Sequence, residues 1–233
     1  MTRTPAPMMR RTLRALALML GYPDAERRAL MPALAQAVTD EGALGAARVA
    51  ELQSLASALA RGDTLDAEAR FVATFDRGRA TSLHLFEHIH GDSRERGPAM
   101  LDLVKTYEAA GLMLGDGELP DHLTVVLEFA STQPPALARE FLGEFAHILQ
   151  SVFSALVERR SPYASVLAAV VELAGHAAEP VAVAPEPSID EAWAEPPAFD
   201  GCSTKGQSRP DQPQPIQIVR RRADAPASQG ASA

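Results

Sequence analysis

Residues 134–160, PPALAREFLGEFAHILQSVFSALVERR, carry the strongest periodic pattern in the chain. Large apolar side chains recur there at intervals of three and four residues, which is the spacing of one face of an α-helix: Phe141, Phe145, Leu149, Val152, Phe153 and Leu156. Arg159 and Arg160 follow, and basic side chains suit a helix C-terminus. The pattern predicts a helix of several turns from Phe141 to Leu156.

The same spacing continues on both sides of this stretch. Upstream, Leu30, Leu34 and Val38 indicate one face of a helix over residues 24–38; downstream, Pro162 opens a last helix with Val166, Val170 and Leu173 on one face. No alternating strand pattern occurs. We therefore predict an all-α fold, with a single domain of about eight to ten helices over residues 8–178.

The composition agrees with a helical protein and limits its function. Hydrophobic residues make up 46% of the chain but aromatic residues only 5%, so that alanine and leucine supply most of the core. The formal charge of −8 argues against a nucleic-acid partner, which would require clustered Lys and Arg. The single cysteine, Cys202, excludes an intrachain disulfide framework and favours a cytoplasmic location.

The two ends of the chain raise separate questions. The N-terminal run after Arg10 and Arg11 could be an export signal, but Arg14 interrupts it and no small-residue cleavage site follows, so we expect the first helix of the domain. No stretch is long and apolar enough for a membrane span. Residues 179–233 contain nine of the eighteen prolines and predict a disordered tail, with short motifs at residues 189–202 and 216–222.

Two polar stretches lie in the middle of the chain, where a purely structural helix would not need them. Residues 82–99 read SLHLFEHIHGDSRERGPA and predict a short helix from Ser82, ended by Gly91. The second stretch, residues 118–122, follows a glycine-rich turn, and its Pro120 and Asp121 are expected to start the next helix.

One motif in the first polar stretch suggests a metal site. His84, Glu87 and His88 form H-x-x-E-H, the inverted zinc-protease pattern, in which the glutamate acts as general base. Such a site needs a third ligand from a neighbouring helix, and nothing in the sequence identifies one. For His88 and His90 the alternatives are that one makes a local hydrogen bond while the other is exposed, or that both line a polar groove that binds a peptide.

The ordered run SLHLFEHIHGDSRERGPAM, preceded by RFVATFD and followed by ELPDHL, resembles the NarJ type of redox-enzyme maturation chaperone. The similarity extends to LGYPD at the end of the first helix and to DEAWAEPPAFDGC in the tail, covering most of residues 10–202. The segment ELPDHL is also similar to the E-P-x-D-H pattern of chaperones for trimethylamine N-oxide and dimethyl sulfoxide reductases. His84 departs from the pattern, since tyrosine is expected there.

This resemblance implies a chaperone that is not an enzyme and has no cofactor of its own. Such proteins bind the cofactor-free catalytic subunit of respiratory nitrate reductase, at its N-terminal tail and a second region, and hold it competent for molybdenum cofactor insertion before membrane docking. The alternatives are a sibling chaperone for another molybdoenzyme and the zinc hydrolase. For the client groove we nominate eight residues: Phe75, Asp76, Glu87, His88, His90, Asp92, Asp121 and His122.

Overall fold

The computed structural model of the protein describes residues 8–91 and 93–182, and in those ranges it contains ten α-helices and a 3₁₀ turn at Arg79–Thr81. The helices are α1 (Arg10–Met19), α2 (Ala25–Glu41), α3 (Ala46–Arg61), α4 (Thr64–Phe75), α5 (Leu85–His90), α6 (Arg96–Ala109), α7 (Leu123–Thr132), α8 (Pro135–Glu144), α9 (Ala146–Glu158) and α10 (Ala164–Leu173). The only β-type pairing in these ranges is an isolated antiparallel bridge between His84 and His122. The all-α prediction is confirmed.

Helix α10 lies at the centre of the core. It is buried on all sides except near its ends, as expected for a helix whose residues are almost all apolar. It packs against α9 and α3, while α1 packs against α2 and α7. The predicted face of Val166, Val170 and Leu173 is buried, and the residues between these three are buried as well, except for the half-buried Glu172.

The predicted helix over residues 141–156 is interrupted at Phe145. There the backbone turns (φ −96°, ψ 3°), so that α8 ends and α9 begins at the next residue. Gly143, a weak helix former, precedes the break. The interruption lets Phe145 pack against both Phe141 and Phe86, with ring centroids 5.5 and 6.3 Å apart. The apolar periodicity identified the buried residues correctly but did not reveal the change of direction.

In α2 the buried face is displaced from the predicted one. Leu30 is exposed, whereas Met31, Ala35 and Val38 are buried. The displacement accompanies Arg28, which is buried and donates from Nε to the Leu59 carbonyl oxygen, 2.8 Å away. A buried guanidinium with a partner in the following helix therefore shares the buried face with Met31 and Ala35.

Two predicted helix starts are wrong. Helix α5 begins at Leu85 rather than Ser82, and α7 begins at Leu123 rather than at Pro120 or Asp121. In both cases the β-bridge lies just before the helix: the carbonyl oxygens of Asp121 and Leu83 accept hydrogen bonds from the amides of Leu85 and Leu123, the first residues of α5 and α7. Both helices therefore start only after the bridge, and in the second stretch Pro120 and Asp121 form a turn.

Candidate functional site

The bridge brings together the two polar stretches noted in the sequence. The amide of Leu85 donates to the Asp121 carbonyl oxygen (3.0 Å), and the amide of Leu123 donates to the Leu83 carbonyl oxygen (2.8 Å). The imidazole rings of His84 and His122 meet edge to face, with centroids 4.9 Å apart. Residues far apart in sequence thus form one local structure in front of α5 and α7.

Asp121 lies at the centre of this structure and is fully buried. Its Oδ2 accepts a hydrogen bond from the amide of Phe86 (3.2 Å), so the carboxylate caps the N-terminus of α5. The same oxygen lies 3.5 Å from Nη2 of Arg96, and Oδ1 lies 3.6 Å from Nδ1 of His84. Burial would raise the pKa of Asp121, but His84, the Phe86 amide and Arg96 together lower that pKa below its ordinary value.

Glu87 connects the buried carboxylate to the surface. Its Oε1 lies 3.6 Å from Nη1 of Arg96, and its Oε2 accepts a hydrogen bond from the Ser82 hydroxyl, 2.5 Å away. Nε2 of His88 is 3.0 Å from the Ser82 carbonyl oxygen. We call His84, Glu87, Arg96, Asp121 and His122 the bridge cluster. Arg96, on α6, lies close to both carboxylates of the cluster, those of Glu87 and Asp121, and so links α6 to the bridge.

The histidines of this region have different environments. Interaction with the Asp121 carboxylate raises the pKa of His84, although burial opposes the rise. Burial lowers the pKa of His122, and the neighbouring His84 lowers it further. Burial also lowers the pKa of His88. Of the three side chains, His84 is therefore the one most readily protonated.

Of the eight nominated residues, the seven that the structure describes do not form one continuous surface. Glu87, Asp121 and His122 belong to the bridge cluster, and His88 adjoins it. Phe75 is a core residue that packs against Phe71 and Tyr163, with centroids 4.8 and 5.0 Å apart. The remaining three are Asp76, which is exposed at the C-terminus of α4, His90, whose ring packs on Phe86, and Asp92, which lies outside the described residues.

The three residues of the H-x-x-E-H motif do not converge on a common point. His84 faces Asp121, His88 contacts the Ser82 carbonyl, and Glu87 contacts Arg96 and the Ser82 hydroxyl. Within residues 8–91 and 93–182, no group of three His, Cys, Asp or Glu side chains is placed to hold a metal ion. The described side chains therefore offer no ligand set for the zinc hydrolase alternative.

A groove runs beside the bridge, between α1, α7 and the loop before α7. It consists of two adjoining cavities of about 250 and 320 Å³, which share Glu118, Val125 and Glu128. We call it the α1–α7 groove. Its lining is polar and apolar in about equal measure, and its other lining residues include Arg14, Tyr22, Arg27, Phe71, Leu114, His122 and Phe129. His122 therefore belongs to both the groove and the bridge cluster.

The sequence analysis did not nominate most of the groove. On α7, Val125 is half-buried at the edge of the core and Glu128, three residues later on the same side of the helix, is exposed. Met113, which is 90% exposed, follows Gly111 in the loop and lines one cavity. A large apolar side chain in a glycine-rich loop is a sequence feature that could have indicated a binding surface. Only the packing of α1 on α7 shows where the groove lies.

Comparison with known proteins places the chain among nitrate reductase accessory proteins. A family model described as nitrate reductase delta subunit matches residues 41–169. The nitrate reductase molybdenum cofactor assembly chaperone NarJ of Escherichia coli K12 is 48% identical over 130 residues, 56% of this chain and 55% of that protein. The candidate NarJ chaperone of Bacillus subtilis is 31% identical over 159 residues, 67% of this chain and 84% of that protein. The chain thus spans about half the length of its Escherichia coli relative.

A crystal structure of a candidate redox enzyme maturation protein from Archaeoglobus fulgidus has a similar fold. It superposes with a TM-score of 0.50 over 73% of this chain and 96% of the other, at 22% identity. At this identity the match supports the all-helical fold and nothing further. Among the described residues, no helix is both long enough and apolar enough to cross a bilayer.

Proposed function

The chain belongs to the nitrate reductase delta subunit family, and from that premise we propose that it is an assembly chaperone for a respiratory nitrate reductase. It binds the cofactor-free catalytic subunit, including the N-terminal tail and a second region, and keeps the subunit competent for molybdenum cofactor insertion. The observation that carries the proposal is the family match over residues 41–169, supported by the identity to the Escherichia coli NarJ chaperone.

The α1–α7 groove is the surface that best suits the client tail. Its apolar lining residues, among them Leu114, Val125 and Phe129, could contact the apolar face of an amphipathic helix, a common mode of peptide recognition. Glu118 and Glu128 are exposed on its wall and would attract a basic peptide. The groove also contains Arg14 and Arg27, so its charge is mixed rather than purely acidic. Charge is therefore expected to orient the tail, and apolar contact to supply most of the affinity.

The bridge cluster has a supporting role in this proposal. Asp121 and Arg96 are engaged with each other, and Asp121 also holds the start of α5. Such a cluster fixes the position of His122 on the groove wall. The protein acts by binding, and none of its steps requires the chain to make or break a covalent bond.

The test is a calorimetric titration with a peptide copying the N-terminus of the nitrate reductase catalytic subunit from the same cell. We expect saturable binding of micromolar strength, about −8 kcal/mol. A peptide from another molybdoenzyme of that cell distinguishes the sibling chaperone, because only the true client should bind at this strength. Absence of binding by the nitrate reductase peptide would overturn the assignment of the tail as client.

Two charge reversals locate the binding surface. Glu118→Lys and Glu128→Lys each place a cation in the groove and should weaken binding of a basic tail by about tenfold. Glu140→Lys is the matched control, since Glu140 is exposed on α8 and does not line the groove. Asp121 is unsuitable for this test because its burial makes a substitution disrupt the fold. Equal affinity in all three variants would exclude the α1–α7 groove as the site.

A further inference from the structure

A second pocket, separate from the groove, lies where α3 and α4 meet the turn between α9 and α10. Its volume is about 560 Å³, within the range of small-molecule sites. The wall includes three arginines, Arg70, Arg159 and Arg160, and no carboxylate. Arg159 already donates to the Thr74 carbonyl oxygen and the Thr81 hydroxyl. In a chain with a formal charge of −8, the other two guanidinium groups, those of Arg70 and Arg160, on a wall without an acidic residue make an anion the matching occupant.

The backbone of Arg160 is unusual. Its φ of 52° lies in the left-handed region, and it is the only non-glycine residue with positive φ among those described. The turn is a helix C-cap in which the amide of Ser161 bonds to the Leu156 carbonyl oxygen (2.9 Å) and that of Arg160 to the Val157 carbonyl oxygen (2.9 Å). Glycine normally occupies this position because a side chain there is strained. An arginine kept at a glycine position points to a use for its side chain.

Two hydroxyl groups of the pocket wall are also unusual. The Tyr163 hydroxyl and the Ser161 hydroxyl are buried and lack a hydrogen-bond partner within residues 8–91 and 93–182. Buried polar groups are normally paired, so both hydroxyls lack the partner that such groups usually have. Burial raises the pKa of Tyr163 to about 12, although the nearby Arg70 opposes the rise, so the hydroxyl keeps its proton and can donate. Leu55 and Leu59 supply an apolar wall on the side of α3.

We propose that this pocket binds a small organic phosphate, with the phosphate between Arg70 and Arg160 and the organic part against Leu55, Leu59 and the Tyr163 ring. Guanidinium groups suit phosphate because their planar array of donors matches its oxygens. The apolar wall favours an ester with a hydrophobic group over the inorganic ion. The pocket shares no lining residue with the α1–α7 groove, so this site is independent of client binding.

The experiment is a calorimetric titration of the full chain with phenyl phosphate, inorganic phosphate and phenol. We expect saturable binding of phenyl phosphate, weaker binding of inorganic phosphate and none of phenol. Arg70→Gln and Arg160→Gly should each weaken phenyl phosphate binding by about tenfold or more. Arg61→Gln is the matched control: Arg61 ends α3 nearby and does not line the pocket, so its loss should change affinity little.

Arg160→Gly separates a ligand-binding role from a structural one. Glycine relieves the left-handed strain, so the variant should melt about 2 to 4 °C higher while it loses affinity for phenyl phosphate. A lower melting temperature together with lost binding would show that Arg160 supports the fold instead, and would overturn the proposal. So would equal affinity in Arg160→Gly and the parent chain, or tighter binding of an acidic peptide than of phenyl phosphate. The client peptide should bind all these variants equally.

Discussion

Asp121 is the residue on which the bridge cluster depends, because its buried carboxylate faces both Arg96 and His84. Asp121→Asn removes the charge and leaves Arg96 without its buried partner, so we expect a loss of about 3 kcal/mol in the free energy of unfolding. Urea denaturation measures it. The control is Asp102→Asn, whose exposed pair with Lys105 should contribute less than about 1 kcal/mol. Similar losses in the two variants would contradict a central role for Asp121.

His84 and His122 should titrate at different pH values, because the fold raises the pKa of one and lowers the pKa of the other. The folded chain raises the pKa of His84 above 6.5, so its protonation stabilises the fold fully below pH 6.5, and this contribution is lost as the pH rises through the folded pKa. For His122 the pKa is lowered, so its contribution is present above pH 6.5 and is lost as the pH falls through its folded pKa. Proton NMR should show His84 titrating at higher pH than His122. In Asp121→Asn the pKa of His84 should fall; an unchanged value would exclude the carboxylate as the cause.

The position of Asp121 in the sequence suggested a cap for its own helix, next to His122. Its carboxylate caps α5 instead, through the amide of Phe86. Local sequence patterns do not reveal a cap supplied from 35 residues away. The crowding of polar residues in both stretches did indicate that they were special, but it could not show that they pair. The sequence could not show for the same reason that Phe75, nominated as a groove residue, is a core residue. Its burial in an aromatic cluster depends on contacts between helices.

Among the helices, α1 is stabilised by a neighbour rather than by its own sequence. No acidic side chain lies in its first turn, and the amides of Arg11 and Thr12 donate to the two carboxylate oxygens of Glu41, at 3.0 and 2.6 Å. We expect Glu41→Gln to lower the free energy of unfolding by about 1 kcal/mol, because it removes the charge at the positive end of the helix. Chemical denaturation should show the loss. Glu140→Gln, on the exposed surface of α8, should change stability by less than about 0.5 kcal/mol.

Helix positions were predictable where the apolar pattern was continuous, as in α10. They were not predictable where tertiary contacts set the ends. The bridge takes Ser82 and Pro120 out of the helices that their sequence favours, and the packing of Phe145 divides what was expected to be one helix. Helix propensity is a weak preference, and a pair of bridge hydrogen bonds or a buried aromatic ring is enough to override it.

For the whole molecule, binding at the groove should appear as added stability, since the groove exists only when α1 and α7 are packed. A client peptide at 100 times its dissociation constant should raise the free energy of unfolding by about 2.7 kcal/mol. The corresponding rise in melting temperature is about 5 to 10 °C. Thermal melts with and without peptide measure this shift. Glu118→Lys should show a smaller rise at the same peptide concentration, and a full rise in that variant would place the peptide elsewhere.

The two backbone bonds of the His84–His122 bridge make the region a built-in reporter of local opening. The amides of Leu85 and Leu123 bond to opposite segments, so neither can exchange with deuterated solvent until α5 and α7 separate. Both should therefore exchange at the same slow rate, although all of α6 lies between them in the chain. A client that forces the two segments apart would accelerate both amides together, whereas one that rests in the groove would slow them both.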